Sequence, residues 1–199
     1  MFNSLKFKVI LFGFIFTFFS SFGQSYFLGL FNSSIREALS ITHGQFGTIY
    51  ASATLCSSLL LIWVGKKIDD VNIFKFAFFV TILLSFACFF FSRITSVFLL
   101  FIAIFLMRFS GQGMMSHTAS TTISRYFTKT RGRALSISWF GLSSAEFIMP
   151  VLMVYLLTII DWQNLWLIFS ITVLIVLPIV SFLLIKNLNL DSREANDED

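Results

Sequence analysis

The sequence predicts an all-α integral membrane protein of six transmembrane helices, and three observations carry that prediction. The 199-residue chain is 57% hydrophobic and 12% charged, with a mean hydropathy of +0.87, whereas soluble domains hold about 25% charged residues. Its apolar residues gather in six runs, each near the roughly 20 residues that an α-helix needs to cross about 30 Å of hydrocarbon. Lysine and arginine alternate in abundance between the connections: Lys6, Lys8, Lys66, Lys67, Lys75, Arg125, Lys129, Arg131, Arg133, Lys186 and Arg193 stand on one side, Arg36 and Arg93 on the other, eleven against two. The positive-inside rule assigns the richer side, and with it both termini, to the cytoplasm of a multi-pass plasma or bacterial inner-membrane protein.

The first run covers residues 9–31. Lys6 and Lys8 ahead of an apolar stretch imitate a signal peptide, and Ser21-Phe22-Gly23 imitates a weak cleavage site. Apolar sequence resumes at Tyr26, however, and removing the run would invert the charge bias of the remaining five. It is therefore read as a span. Gly13, Thr17, Ser20, Ser21 and Gln24 follow one another along one of its faces. The second run, 45–64, carries Gly47 and Ala51 at a spacing that lets a neighbouring helix approach. The third and sixth, 73–91 and 165–185, are nearly all apolar and are expected at the lipid-facing periphery. In the fourth, 97–117, eleven apolar residues lead into Arg108, and the sequence then turns small and polar at Ser110, Gly111, Gln112, Gly113 and Ser116. The fifth, 135–160, holds Glu146 and Pro150. Helices one, four and five are expected inside the bundle. Residues 1–186 form one six-helix unit, and 187–199, acidic at the end and without apolar period, read as a disordered cytoplasmic tail or the start of a linker.

Several chemistries are excluded. Cys56 and Cys88 lie inside apolar runs without metal-ligand or disulfide spacing, so no metal or other cofactor is expected. The net charge of +4 is dispersed between apolar runs instead of forming a basic face, which argues against nucleic acid. Six spans is also the size of an intramembrane protease, but His43 and His117 share no membrane depth with Ser143 or Ser144, and a nucleophile needs a base within reach. An enzyme is not expected.

Arg108 is the charge left near the middle of a run, and Glu146 is the only acid within any of them. An intramembrane charge costs at least about 2.5 kcal/mol and so faces a partner or a wet cavity. At 1.5 Å per residue both stand roughly 17 Å from the interface where their helices start, near mid-bilayer, and consecutive antiparallel helices bring them within reach of one another. Two readings follow. In one, they form a buried ion pair that ties helices four and five together, which is weak evidence for stability. In the other, Arg108 grips an anionic substrate with its bidentate fork, Gln112 adds a hydrogen bond one turn on, Thr17, Ser21 and Gln24 line the path from the first helix, and Glu146 is a resting counter-ion or proton carrier. Pro150 removes a backbone donor one turn beyond Glu146, either as a gate or as tolerated irregularity.

Three motifs resemble those of the major facilitator superfamily, in an N-terminal half that would cover nearly all of the six runs. Gly65-Lys66-Lys67-Ile68-Asp69-Asp70-Val71-Asn72 is similar to the family's loop signature after the second helix: Gly65 and Asp69 match, Asp70 stands where a base is expected and Asn72 where a glycine is, while Lys66 and Lys67 keep the loop basic. Arg108-Phe109-Ser110-Gly111-Gln112-Gly113 resembles the fourth-helix Arg-x-x-Gln-Gly signature with the last two residues displaced by one. Gly141 and Ala145 take the small positions of a glycine-rich fifth-helix motif whose proline is replaced by Glu146. The stretch 123–137 and Asp161-Trp162-Gln163 look like the monocarboxylate-transporter-like branch.

This resemblance implies the six-helix, 3+3 inverted-repeat half of a major facilitator fold, with Gly65, Lys66, Lys67 and Asp69 as a cytoplasmic gating loop. It further implies proton-coupled transport of small organic anions by alternating access, with a lipid bilayer, an anionic substrate, protons and a second six-helix half as partners. The second half would come from a chain extension, a separate chain or a homodimer. The rival expectation is a non-transporting membrane scaffold or remnant.

Overall fold

The computed structural model describes residues 4–69 and 71–186; the expected acidic tail, 187–199, lies outside them. Six helices among the described residues are long and apolar enough to cross a membrane. The first span differs most from the sequence expectation. It begins at α1 (Ser4–Ser20), tightens into a 3₁₀ turn at Ser21–Gly23, opens into extended backbone at Gln24, and resumes as α2 (Ser25–Leu30) and α3 (Asn32–Leu39). The reason is local: Ser20, Ser21, Gly23 and Ser25 are weak helix formers placed together, and Ser20 Oγ turns back onto the Thr17 carbonyl at 2.6 Å. Ser40, in left-handed backbone with φ 52°, closes the helix.

The second span, α4 (His43–Val64), starts two residues before the expected 45 because Thr42 and Gln45 form a reciprocal capping box. A 3₁₀ turn at Gly65–Asp69 follows it. Asn72 caps α5 (Ile73–Phe91) by accepting from the Phe74 and Lys75 amides, and this helix keeps the limits read from sequence. Ser96 caps α6 (Val97–Met107), which widens into a π-helical stretch at Arg108–Met115 and continues as α7 (Ser116–Tyr126). The fourth span therefore runs past the expected 117. Its last turns are polar in composition, but Thr118 and Thr122 spend their hydroxyls on carbonyls one turn back, at 2.7 Å each. α8 (Arg131–Leu156) passes through Pro150 without ending, and α9 (Trp162–Ile185) passes through Pro178.

Packing relates the first three spans to the last three. α1 lies along α8 as the fourth span lies along α4; α5 meets the fourth span as α9 meets α1; α5 and α9 pair with each other. Exchanging spans one, two and three for four, five and six leaves this scheme unchanged, and corresponding spans run in opposite directions, so the two triplets form an inverted repeat. Two contacts sit at its pseudo-twofold axis, where a residue must meet its own counterpart. Ser85 Oγ donates to the Ser170 carbonyl at 2.9 Å and Ser170 Oγ returns the bond to the Ser85 carbonyl at 2.8 Å. Gly23 and Gly111 are the second such contact: a Cβ on Gly111 would lie 2.7 Å from the Gly23 nitrogen, and one on Gly23 would strike the backbone at Met107 and Gln112.

Burial revises the expected order of interior and periphery. The fourth span is the most buried, as expected, but α5 follows it and α8 is largely uncovered. In α8 the small residues Ala134, Ser138, Gly141 and Ala145 all fall on the face against α1, and Phe140, Phe147, Val151, Val154 and Tyr155 occupy the other. The apolar composition of α5 and α9 says nothing of position, since lipid and protein interior are equally apolar. An aromatic cluster of Phe22, Phe27, Phe31, Phe91, Trp166 and Phe169 packs the broken first span onto α5 and α9, with Phe91 and Trp166 4.4 Å apart.

Candidate functional site

Arg108 sits where the chain is least regular. It opens the π-helical stretch, and the Gly23–Gly111 crossing brings the break of the first span against it. A 3₁₀ turn and the extended Gln24 leave the Gly23 carbonyl outside the regular helical ladder, and Arg108 Nη1 donates to it at 3.0 Å. The same nitrogen donates to Ser25 Oγ at 3.2 Å. From α4, the Tyr50 ring lies with its centroid 5.5 Å from the guanidinium carbon, a cation–π contact, and the Tyr50 hydroxyl donates to Ser25 Oγ at 2.8 Å. The side chain is 8% exposed, yet Nε is buried and donates to nothing. A buried charge-bearing donor without an acceptor is the exception that calls for explanation.

The expected contact with Glu146 is not made. Glu146 stands on the uncovered side of α8, and the partners of Arg108 are Gly23, Ser25 and Tyr50. Equal depth along two helices does not decide which way each side chain faces, and the small-residue face of α8 is turned toward α1. Ser21 Oγ and Tyr26 Oη of the broken first span are buried and meet no partner within hydrogen-bond geometry. The molecule thus has one enclosed polar centre, Arg108 between spans one, two and four, and Glu146 stands apart from it on the exposed side of the fifth.

The remaining expected residues fall in different places. Thr17 is fully buried and donates to the Ser138 carbonyl at 2.6 Å, opposite Gly141, so it belongs to the close packing of α1 on α8. Gln24 and Gln112 flank the crossing of the first and fourth spans, half-buried, and neither amide side chain hydrogen-bonds among the described residues. In the loop after α4, Gly65 is buried and its carbonyl meets His117 Nε2 at 2.9 Å, while the Ile68 carbonyl accepts from Arg125 Nη2 at 2.8 Å. Lys66 and Lys67 are exposed; the side chain of Asp69 lies outside the described residues, as does Asp70. Sequence reading missed Gly23, Ser25 and Tyr50 at the arginine and His117 at the loop. A tyrosine inside an otherwise apolar span was the available signal for the first group, since its hydroxyl needs a partner there.

An inverted repeat of two three-helix units, with a broken helix and a π-distorted helix crossing beside a buried ionisable residue, defines the helical class of secondary membrane transporters. The chain belongs to the Major Facilitator Superfamily, whose family model matches residues 13–198. No individual curated protein and no solved structure matches it significantly. The family match is to the superfamily as a whole and does not select the monocarboxylate-transporter-like branch.

Proposed function

We propose that this chain is one half of a secondary active transporter that moves a small organic anion of the monocarboxylate class, coupled to protons, with Arg108 as the anion-binding residue. The single observation that carries the reading is the buried, unpartnered Nε of Arg108 beside a helix break. Nη1 is spent on Gly23 and Ser25, so the side-on edge through Nε is what remains to donate bidentately to a carboxylate. Glu146, exposed on α8, serves as the proton carrier. The second half covers the uncovered faces of α4 and α8, where Leu55, Leu59, Ile62 and Trp63, and Phe147, Val151 and Val154, are exposed. Patches of this kind mark a protein or lipid contact. Gly65, Lys66, Lys67 and Asp69 form the cytoplasmic gating loop, tethered to the fourth span through His117 and Arg125.

Uptake of radiolabelled pyruvate into membrane vesicles bearing the native product, with and without an imposed proton gradient, tests this reading. Arg108→Ala is expected to abolish uptake at normal protein level; Glu146→Gln is expected to abolish uphill uptake and keep exchange. Uptake intact in Arg108→Ala removes the binding role and favours the scaffold reading. Unchanged uphill uptake in Glu146→Gln removes that residue from the coupling.

A further inference from the structure

Ser25 and Tyr50 carry a role that the anion-binding reading alone does not give them. Ser25 Oγ accepts two hydrogen bonds, from Arg108 Nη1 at 3.2 Å and from Tyr50 Oη at 2.8 Å. A hydroxyl oxygen has two acceptor sites and one proton, so its lone pairs are filled, and among the described residues its own proton has no acceptor. Beside it Arg108 Nε likewise donates to nothing. The exposed Ser25 hydroxyl and the buried Arg108 Nε therefore stand side by side, two donors without an acceptor among the described residues, beneath a ring whose hydroxyl is bonded to Ser25. Phe46, one turn earlier on α4, stacks on that ring at 6.3 Å and steadies it from behind. The helix that carries both aromatics is the least buried span, with Phe46, Ala53 and Ser57 as its buried side chains.

We infer that Tyr50 controls access to Arg108. With the Tyr50–Ser25 bond made, the ring lies over the guanidinium and the arginine is closed to ligands. When the bond opens, the ring lifts, and a carboxylate takes the Nε edge with one oxygen pair while the Ser25 hydroxyl donates to it from the side. Ser25 is then a ligand-binding residue and Tyr50 the residue that decides when Arg108 is available. This inference rests on the anion-binding reading of Arg108, but the state of the latch is measurable without any transport.

The test is the rate at which phenylglyoxal modifies Arg108 in the full chain in membrane vesicles, followed by peptide mass spectrometry and referred to the exposed Arg93 of the same molecule. In the unsubstituted protein Arg108 is expected to react more slowly than Arg93. Tyr50→Phe keeps the ring and removes only the hydroxyl, and Ser25→Ala removes its acceptor; each is expected to speed Arg108 several-fold and leave Arg93 unchanged. Cys88 is fully buried, so its failure to react with maleimide certifies the fold of each variant, and either variant suffices if the other misfolds. Unaltered Arg108 rates in folded Tyr50→Phe or Ser25→Ala protein overturn the latch, as does an Arg108 that already reacts like Arg93. Millimolar pyruvate in the same assay separates the two readings. Slower modification of Arg108 in Tyr50→Phe supports a carboxylate at the opened site; accelerated modification without pyruvate protection keeps the latch and removes the anion reading.

Discussion

Arg108 and Glu146 stand at similar depth in the bundle, one wrapped and the other bare. Arg108 is enclosed by a carbonyl, a serine and a tyrosine drawn from two other spans. Glu146 projects from the uncovered side of α8. The difference comes from backbone irregularity. Where the 3₁₀ turn of the first span meets the π-helical stretch of the fourth, two glycines let main chains touch, and a carbonyl turns to a guanidinium. α8 is a regular helix, so its small residues make one contact face and Glu146 lies off that face. A charge enclosed by irregular backbone is held in place before any ligand arrives; one on a regular surface waits for a partner to define its surroundings.

The largest way to break this contrast is to remove the crossing. Gly23→Leu drives a side chain into the backbone of the fourth span and is expected to cost more than about 4 kcal/mol, the range of severe core clashes. Size-exclusion chromatography in detergent then loses its monodisperse peak, whereas Gly29→Ala, with no atom within 4 Å of the new Cβ, keeps it. A functional arginine and a structural one predict opposite signs for Arg108→Met. Burying the charge costs at least about 2.5 kcal/mol, and each intramembrane hydrogen bond returns about 0.6 kcal/mol. Net stabilisation of about 1 kcal/mol is therefore expected on thermal unfolding in detergent, together with lost anion binding. A fall in stability would assign Arg108 a structural role. The smallest effect is expected for Glu146→Gln, which leaves its face of α8 as uncovered as before and stays within about 0.5 kcal/mol of the parent; a larger loss would mean that Glu146 is held in the bundle after all.

How much of this was legible in the sequence depends on which physics each feature uses. Span number follows from hydrocarbon thickness, so the six runs were found, and 73–91 coincides with Ile73–Phe91. The end of the fourth span was misread because Thr118 and Thr122 satisfy their hydroxyls on their own helix and so remain compatible with a helix that composition alone would stop at 117. The small-residue stretch after Arg108 and the serines around Gly23 were visible as composition, but whether such stretches stay helical, widen or break is decided by what packs on them. The facing of Glu146 was not legible at all. Depth is additive along a helix, whereas azimuth depends on which face the neighbours take, and those neighbours lie far away in sequence. For the same reason Thr17 was read as lining a path, when its hydroxyl closes the contact between α1 and α8.

Equilibrium binding of radiolabelled pyruvate to purified full-length protein, compared between the parent, Arg108→Lys and Glu146→Gln, tests the central claim most directly. Lysine keeps the charge but offers a point donor in place of a planar fork, so binding to Arg108→Lys is expected to weaken at least about tenfold, roughly 1.4 kcal/mol, while Glu146→Gln binds like the parent. Equal affinity in the parent and Arg108→Lys, or loss of binding in Glu146→Gln alone, would contradict the account by placing the anion away from the enclosed arginine.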